Sequence, residues 1–114
     1  MSNGNLRQGD LVLLSYPFSN LEERKVRPAL IISNNIFNKK SDDCIMVPLT
    51  GVIKNEPYSV VVSQESLEDG RLLKLSRIRV DKIFSVEKKL VRLRIGRLNK
   101  ETFEKVKQEF LNLI

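Results

Sequence analysis

The sequence predicts a mainly β domain, a small barrel or sandwich of short strands capped by one late helix. Three patterns lead there. Short apolar runs recur along the chain, each bounded by Gly, Pro or a polar cluster. Two later segments alternate apolar and basic residues with the period of a half-buried strand. The C-terminal segment spaces its apolar residues as a helix does.

Residues 11–16 are the first apolar run, opened by Gly9-Asp10 and closed by Pro17, and read as a strand. Residues 19–26 are polar and charged, a mobile loop that carries Glu22, Glu23, Arg24 and Lys25. Residues 29–33 are apolar up to the serine and β-branched enough for a buried strand. Residues 34–43 collect Asn, Lys, Ser and Asp, with Ile36 and Phe37 as packing points, and no strand or helix is assigned there. Residues 44–49 are the next strand, followed by a turn around Gly51, and the valine-rich residues 58–63 after Pro57 are another. Within residues 72–86, Ile78 and Val80 point one way while Arg77 and Arg79 point the other. The pattern repeats with Val91, Leu93 and Ile95 against Arg92 and Arg94. Each strand thus presents outward arginines. They form a cationic patch if the two strands are neighbours, and ordinary solvated faces if not. The final helix takes Asn99 as N-cap and Glu101 in its first turn. Phe103, Val106, Phe110 and Leu113 are its core stripe, with Glu101 and Lys105 spaced to pair.

A chain of 114 residues suits one domain with one core. With 41% apolar and 30% charged residues the balance is globular, and no run is long enough to span a membrane. Residues 1–8 are polar, read as a flexible N-terminus, and lack the apolar segment of a signal peptide. The lone Cys44 reads as a buried structural thiol. A cytoplasmic location is expected. The net charge of +6 and pI near 9.7 favour nucleic acid, anionic lipid or an acidic protein as partner, though surplus surface lysine gives the same totals. There is no histidine. That removes the commonest general acid/base and, with one cysteine, any Ser–His or Cys–His nucleophile and any structural zinc site.

The octet Arg27-Pro28-Ala29-Leu30-Ile31-Ile32-Ser33-Asn34 joins a fixed cation, a rigid turn and a buried strand. A guanidinium is a permanent five-donor fork, suited to phosphate or carboxylate. Pro28 keeps the preceding residue extended, so Arg27 is held at the mouth of the strand, where it can bind an anion.

Other pieces join the octet in order: Gly9-Asp10-Leu11-Val12, then Val47-Pro48-Leu49-Thr50, then Leu75-Ser76-Arg77-Ile78-Arg79-Val80-Asp81-Lys82-Ile83, then residues 90–98 with Ile95-Gly96 inside. Together they resemble the MazF/PemK family of bacterial toxins, ribosome-independent or ribosome-assisted mRNA endoribonucleases. The resemblance covers residues 9–114 as a single toxin domain. It implies an SH3-like β-barrel with a C-terminal helix, usually a two-fold dimer with RNA in a groove at the interface. It also implies cleavage by attack of the ribose 2′-OH on the adjacent phosphorus, with no metal or cofactor. By resemblance Arg27 is the central catalytic arginine and Thr50 its hydroxyl partner. Arg79 and Asp81 resemble an acid-plus-arginine pair used by some members. Lys25, Ser33, Asn34 and Arg77 are expected RNA contacts. The implied partners are single-stranded mRNA and an acidic, partly disordered antitoxin that meets the charged loop; no membrane partner is expected.

The residues admit plainer roles as well. Arg27 suits a dimer partner's carboxylate, Thr50 the backbone of the turn before Gly51, Arg79 and Asp81 a surface ion pair, and Ser33-Asn34 a turn. The general acid and base stay open, because arginine's pKa lies above ~12. Some relatives place a histidine in or near the first loop, and this chain has none. Two other functions fit the same barrel. One is a gyrase-binding toxin of the CcdB kind, which relies on aromatic residues at the end of the last helix, where this chain has Leu113-Ile114. The other is an RNA-binding module without catalysis.

Overall fold

Short strands need neighbours to bury their apolar faces, and here one antiparallel sheet supplies them all. The computed structural model describes residues 5–15 and 26–114. In chain order the elements are β1 (Asp10–Ser15), β2 (Val26–Ile31), α1 (Asn35–Lys40), β3 (Asp43–Thr50) and β4 (Ser59–Val62). There follow β5 (Leu67–Gly70), β6 (Ser76–Arg79), β7 (Phe84–Glu87), β8 (Val91–Leu98) and α2 (Lys100–Leu113). The sheet runs β4-β6-β3-β2-β1-β8-β5, with β7 pairing the other end of β3. This is the expected mainly β architecture with its C-terminal helix, a curled half-barrel of antiparallel strands.

Both faces of the sheet are covered, which explains its uninterrupted apolar runs. One face gathers Val12, Leu14, Ala29, Ile31, Cys44, Met46 and Val86 around Leu6; the other gathers Leu11, Leu30, Val47, Leu49, Ile78 and Leu98 under Val106 of α2. The Asn99 side chain caps α2 by accepting from Thr102 N at 2.8 Å. Phe103 and Phe110 pack beside Val106 as the stripe requires, while Leu113 at the last turn lies outside that cluster and is 37% exposed.

Several expectations change. Residues 34–43 contain α1, whose N-cap is Asn34: its side chain accepts from Phe37 N at 2.8 Å. Ile36, expected to pack, is 70% exposed. The segment 72–86 splits into β6 and β7, which pair with different parts of β3. β5 is a strand without an alternating pattern. The two arginine strands, β6 and β8, are not neighbours, so they build no shared patch. On β8 the alternation itself breaks, because register shifts against β1 leave Leu93 45% exposed. Of the N-terminal stretch 1–8, Leu6 packs in the core and Gln8 Nε2 donates to Ile32 O at 2.8 Å; residues 1–4 lie outside the described residues. The loop over 19–26, with Lys25, also lies outside them apart from Val26.

Two small patterns in the sequence acquire a cause. Gly96 faces Gly70 across the β5–β8 ladder. A Cβ on Gly70 would meet Gly96 Cα at 2.3 Å, and Gly70 also has φ +88°, so both positions require glycine for close backbone approach. Asp10, fully buried, is the centre of an ionic cluster between β1 and β8. Its Oδ1 accepts from Arg94 Nε at 3.1 Å and Arg97 Nε at 2.9 Å, and its Oδ2 accepts from Arg7 N at 2.9 Å. Arg94 reaches on to Asp69 at 2.7 Å. Burial works against the Arg94 charge, but the hydrogen bonds to Asp69 and Asp10 outweigh it and hold its pKa above the ordinary value.

Cys44 is buried and unbridged, as expected of a structural thiol. Burial raises its pKa, only partly offset by the nearby Lys88. A raised native pKa means the unfolded chain gives up this proton first, so stability is full below the ordinary thiol pKa of roughly 8.5 and falls as pH climbs past it. Accordingly, a thiol reagent at pH 8 should leave Cys44 unmodified in the native protein and label it fully in denaturant. Rapid native labelling would show that this face opens.

Candidate functional site

Residues directly opposite each other in antiparallel strands present side chains to the same face. On β1 and β2, Leu14 lies opposite Arg27. The β2–β3 ladder runs to Ala29 opposite Pro48; carried on two residues, the same register brings Arg27 to Thr50. Thr50 in turn lies opposite Arg77 of β6. The row Leu14, Arg27, Thr50, Arg77 thus crosses four strands on the face away from α2. One step along the same face, the β3–β6 register brings Arg79 level with Pro48. This face is apolar in its centre and becomes cationic where β2 and β3 reach their ends.

Arg27 is exposed on this row. Thr50 is half-buried, and its Oγ1 accepts from Val52 N at 3.2 Å. A hydroxyl that accepts in this way still has its own proton to donate elsewhere. Arg77 lies deeper than its outward alternation predicts. It is 3% exposed, with Nε donating to Val52 O at 3.1 Å and Nη1 lying 3.7 Å from Glu56 Oε2. Period-two alternation cannot separate a solvated arginine from one covered by a loop. Arg79 Nη2 donates to Asp81 Oδ2 at 2.9 Å, an ion pair about one-third exposed. Its Nε is buried and has no hydrogen-bond partner among the described residues, a donor left short by about 1–3 kcal/mol.

Ser33 and Asn34 belong elsewhere. Six residues of strand and turn separate Ser33 from Arg27, roughly 20 Å at strand rise. Ser33 Oγ donates to Asn38 Oδ1 and accepts from Ile45 N at 3.0 Å. Asn34 is spent on capping α1. Both line a separate, mostly apolar cavity of about 530 Å³ beside α2, with Phe37, Phe103 and Phe110. None of Arg27, Thr50, Arg77 or Arg79 lines it, and its chemistry offers no anion a row of cations. The octet therefore divides between two places: Arg27 on the four-strand row, Ser33-Asn34 at the corner that opens α1.

The protein is a small β domain, a curled antiparallel sheet with a helix over one face and an arginine–threonine row on the other. The family model of the PemK-like, MazF-like toxins of type II toxin–antitoxin systems matches residues 7–114, and the chain belongs to that family. The endoribonuclease toxin MazF of Escherichia coli (strain K12) is 36% identical over 63 residues, 54% of this chain and 56% of that protein. The chain thus spans little more than half the length of that relative. The fold resembles that of an endoribonuclease from a mycobacterial species, solved with its cognate antitoxin, at TM-score 0.78 and 19% identity, covering 94% of this chain and 92% of the other. It also resembles the MazE–MazF structure from Deinococcus radiodurans, at TM-score 0.78 and 18% identity, covering 95% and 94%. At these identities the likeness is one of fold.

Proposed function

We propose that this protein is the toxin of a type II toxin–antitoxin pair and cleaves single-stranded mRNA. The observation that carries this reading is the Arg27–Thr50 row, in a chain whose family match runs from residue 7 to 114. In the reaction the ribose 2′-oxygen bonds to the adjacent phosphorus as the bond from phosphorus to O5′ breaks. The 2′-OH gives up its proton, and a proton goes to the leaving O5′. Negative charge gathers on the phosphoryl oxygens meanwhile. Arg27 meets that charge with a two-pronged cation, and the Thr50 hydroxyl donates to one oxygen. Such fixed donors lower a barrier of this kind by about 3–4 kcal/mol. Asp81, its side chain about one-third exposed, is the candidate to take or return a proton, with Arg79 orienting it. No step runs through a metal.

The net charge of +6 supports an acidic antitoxin whose disordered segment folds onto the cationic face. A homodimer and a cytoplasmic location belong to the same reading; no helix among the described residues is long and apolar enough to cross a membrane. The test is to incubate the purified protein with mixed-sequence RNA in EDTA and map the product ends. Products with 2′,3′-cyclic phosphate and 5′-hydroxyl ends are expected. Intact RNA together with a poisoned gyrase would overturn the reading.

A further inference from the structure

A guanidinium under a loop is a costly way to fill space. Removing an arginine from water costs several kcal/mol unless its partners are excellent, and an apolar side chain of similar size packs with less penalty. Arg77 donates to one carbonyl at 3.1 Å and lies 3.7 Å from one carboxylate, the latter on a side chain 45% exposed. These partners have one thing in common: Val52 and Glu56 both lie on the connection 51–58 between β3 and β4. The Val52 peptide units tie Arg77 to the candidate site, since Val52 O accepts from Arg77 and Val52 N donates to Thr50 Oγ1. The far end of the connection is fastened too. Tyr58, at φ +59°, donates its N–H to Glu109 Oε1 of α2 at 3.0 Å, and its carbonyl accepts from Val80 N at 2.9 Å. A non-glycine residue with that φ is held there by its surroundings.

We propose that Arg77 is a positioning residue: through Val52 and Glu56 it fixes the 51–58 connection and so aims the Thr50 hydroxyl at the substrate phosphate. This rests on the nuclease reading for its substrate, but the clamp itself is a property of the fold. With Oγ1 accepting from Val52 N, the Thr50 hydroxyl keeps its own proton to donate. When the clamp is loosened, Val52 moves and the hydroxyl gains other rotamers. Arg77 then acts on turnover without touching RNA.

The test has two readouts. In Arg77→Met, amide exchange at Val52 should rise at least about tenfold relative to amides of the β1–β2 ladder, because local opening governs exchange. In RNA cleavage, Arg77→Met should lower kcat by roughly 10–100-fold with KM nearly unchanged, and in a Thr50→Ala background the same substitution should cost less than about twofold, the signature of residues acting as one unit. Should Arg77→Met fail to fold, Glu56→Ala carries the same pair of measurements, since Glu56 is half-exposed. Unchanged Val52 exchange overturns the clamp whether or not RNA is cleaved. An equal loss with and without Thr50 overturns the route through Thr50. A wild-type protein that leaves RNA intact counts against the nuclease reading alone, and the exchange result then decides the clamp.

Discussion

Arg27→Ala should slow RNA cleavage by roughly 10²–10³-fold, the loss seen when one preorganised donor to a developing oxyanion is removed. The melting temperature should hardly move, because Arg27 is exposed at the end of β2 and the core begins at Ala29. Arg27→Lys should remain slow: an ammonium keeps the charge but not the planar fork that meets two phosphoryl oxygens at once. Cleavage rates on one RNA, read beside thermal melts of the three proteins, make the check. If Arg27→Ala cuts at the wild-type rate, the row across β2, β3 and β6 is not the reaction centre.

Asp10→Ala should cost about 3 kcal/mol of stability, near the lower end for breaking a buried ion pair, because Arg94 and Arg97 keep some access to water. Their side chains are 34% and 24% exposed, whereas Asp10 has none. For a domain of this size the melting temperature should fall by roughly 15 °C. Asp10→Asn should lose less, since an amide oxygen still accepts from one guanidinium. Urea or thermal unfolding of the three proteins measures this, and an Asp10→Ala protein as stable as wild type would mean the cluster contributes nothing net.

Much of this molecule is legible in its residues, and the failures share a cause. The β1, β3 and α2 assignments rest on apolar periodicity and on caps such as Asn99, which are local signals. The helix α1 was hidden because its six residues include two asparagines and two lysines, although Asn34 at its start is a strong cap residue. β5 was hidden because Glu68 and Asp69 sit in it; it is a strand through pairing with β8 and through contacts with Arg97 and Arg94. The site divides in the same way. Arg27 announces itself by the Pro28 beside it. That Thr50 and Arg77 share its row depends on the register of two ladders, which no single segment encodes. The depth of Arg77 depends on a loop twenty-odd residues earlier in the chain, and its alternation with Ile78 could not report that cover.

The order in which the ladders can form also bears on how the strand beside Arg27 is supported. β1 pairs on one side with β8, and its buried Asp10 finds its arginine partners only 84 and 87 residues further along the chain. Until those residues dock, β1 has an unpaired edge and an uncompensated carboxylate, so the strand that backs Arg27 has no stable seat. The support beneath Arg27 is therefore a long-range property of the chain, complete only once Arg94 and Arg97 close on Asp10.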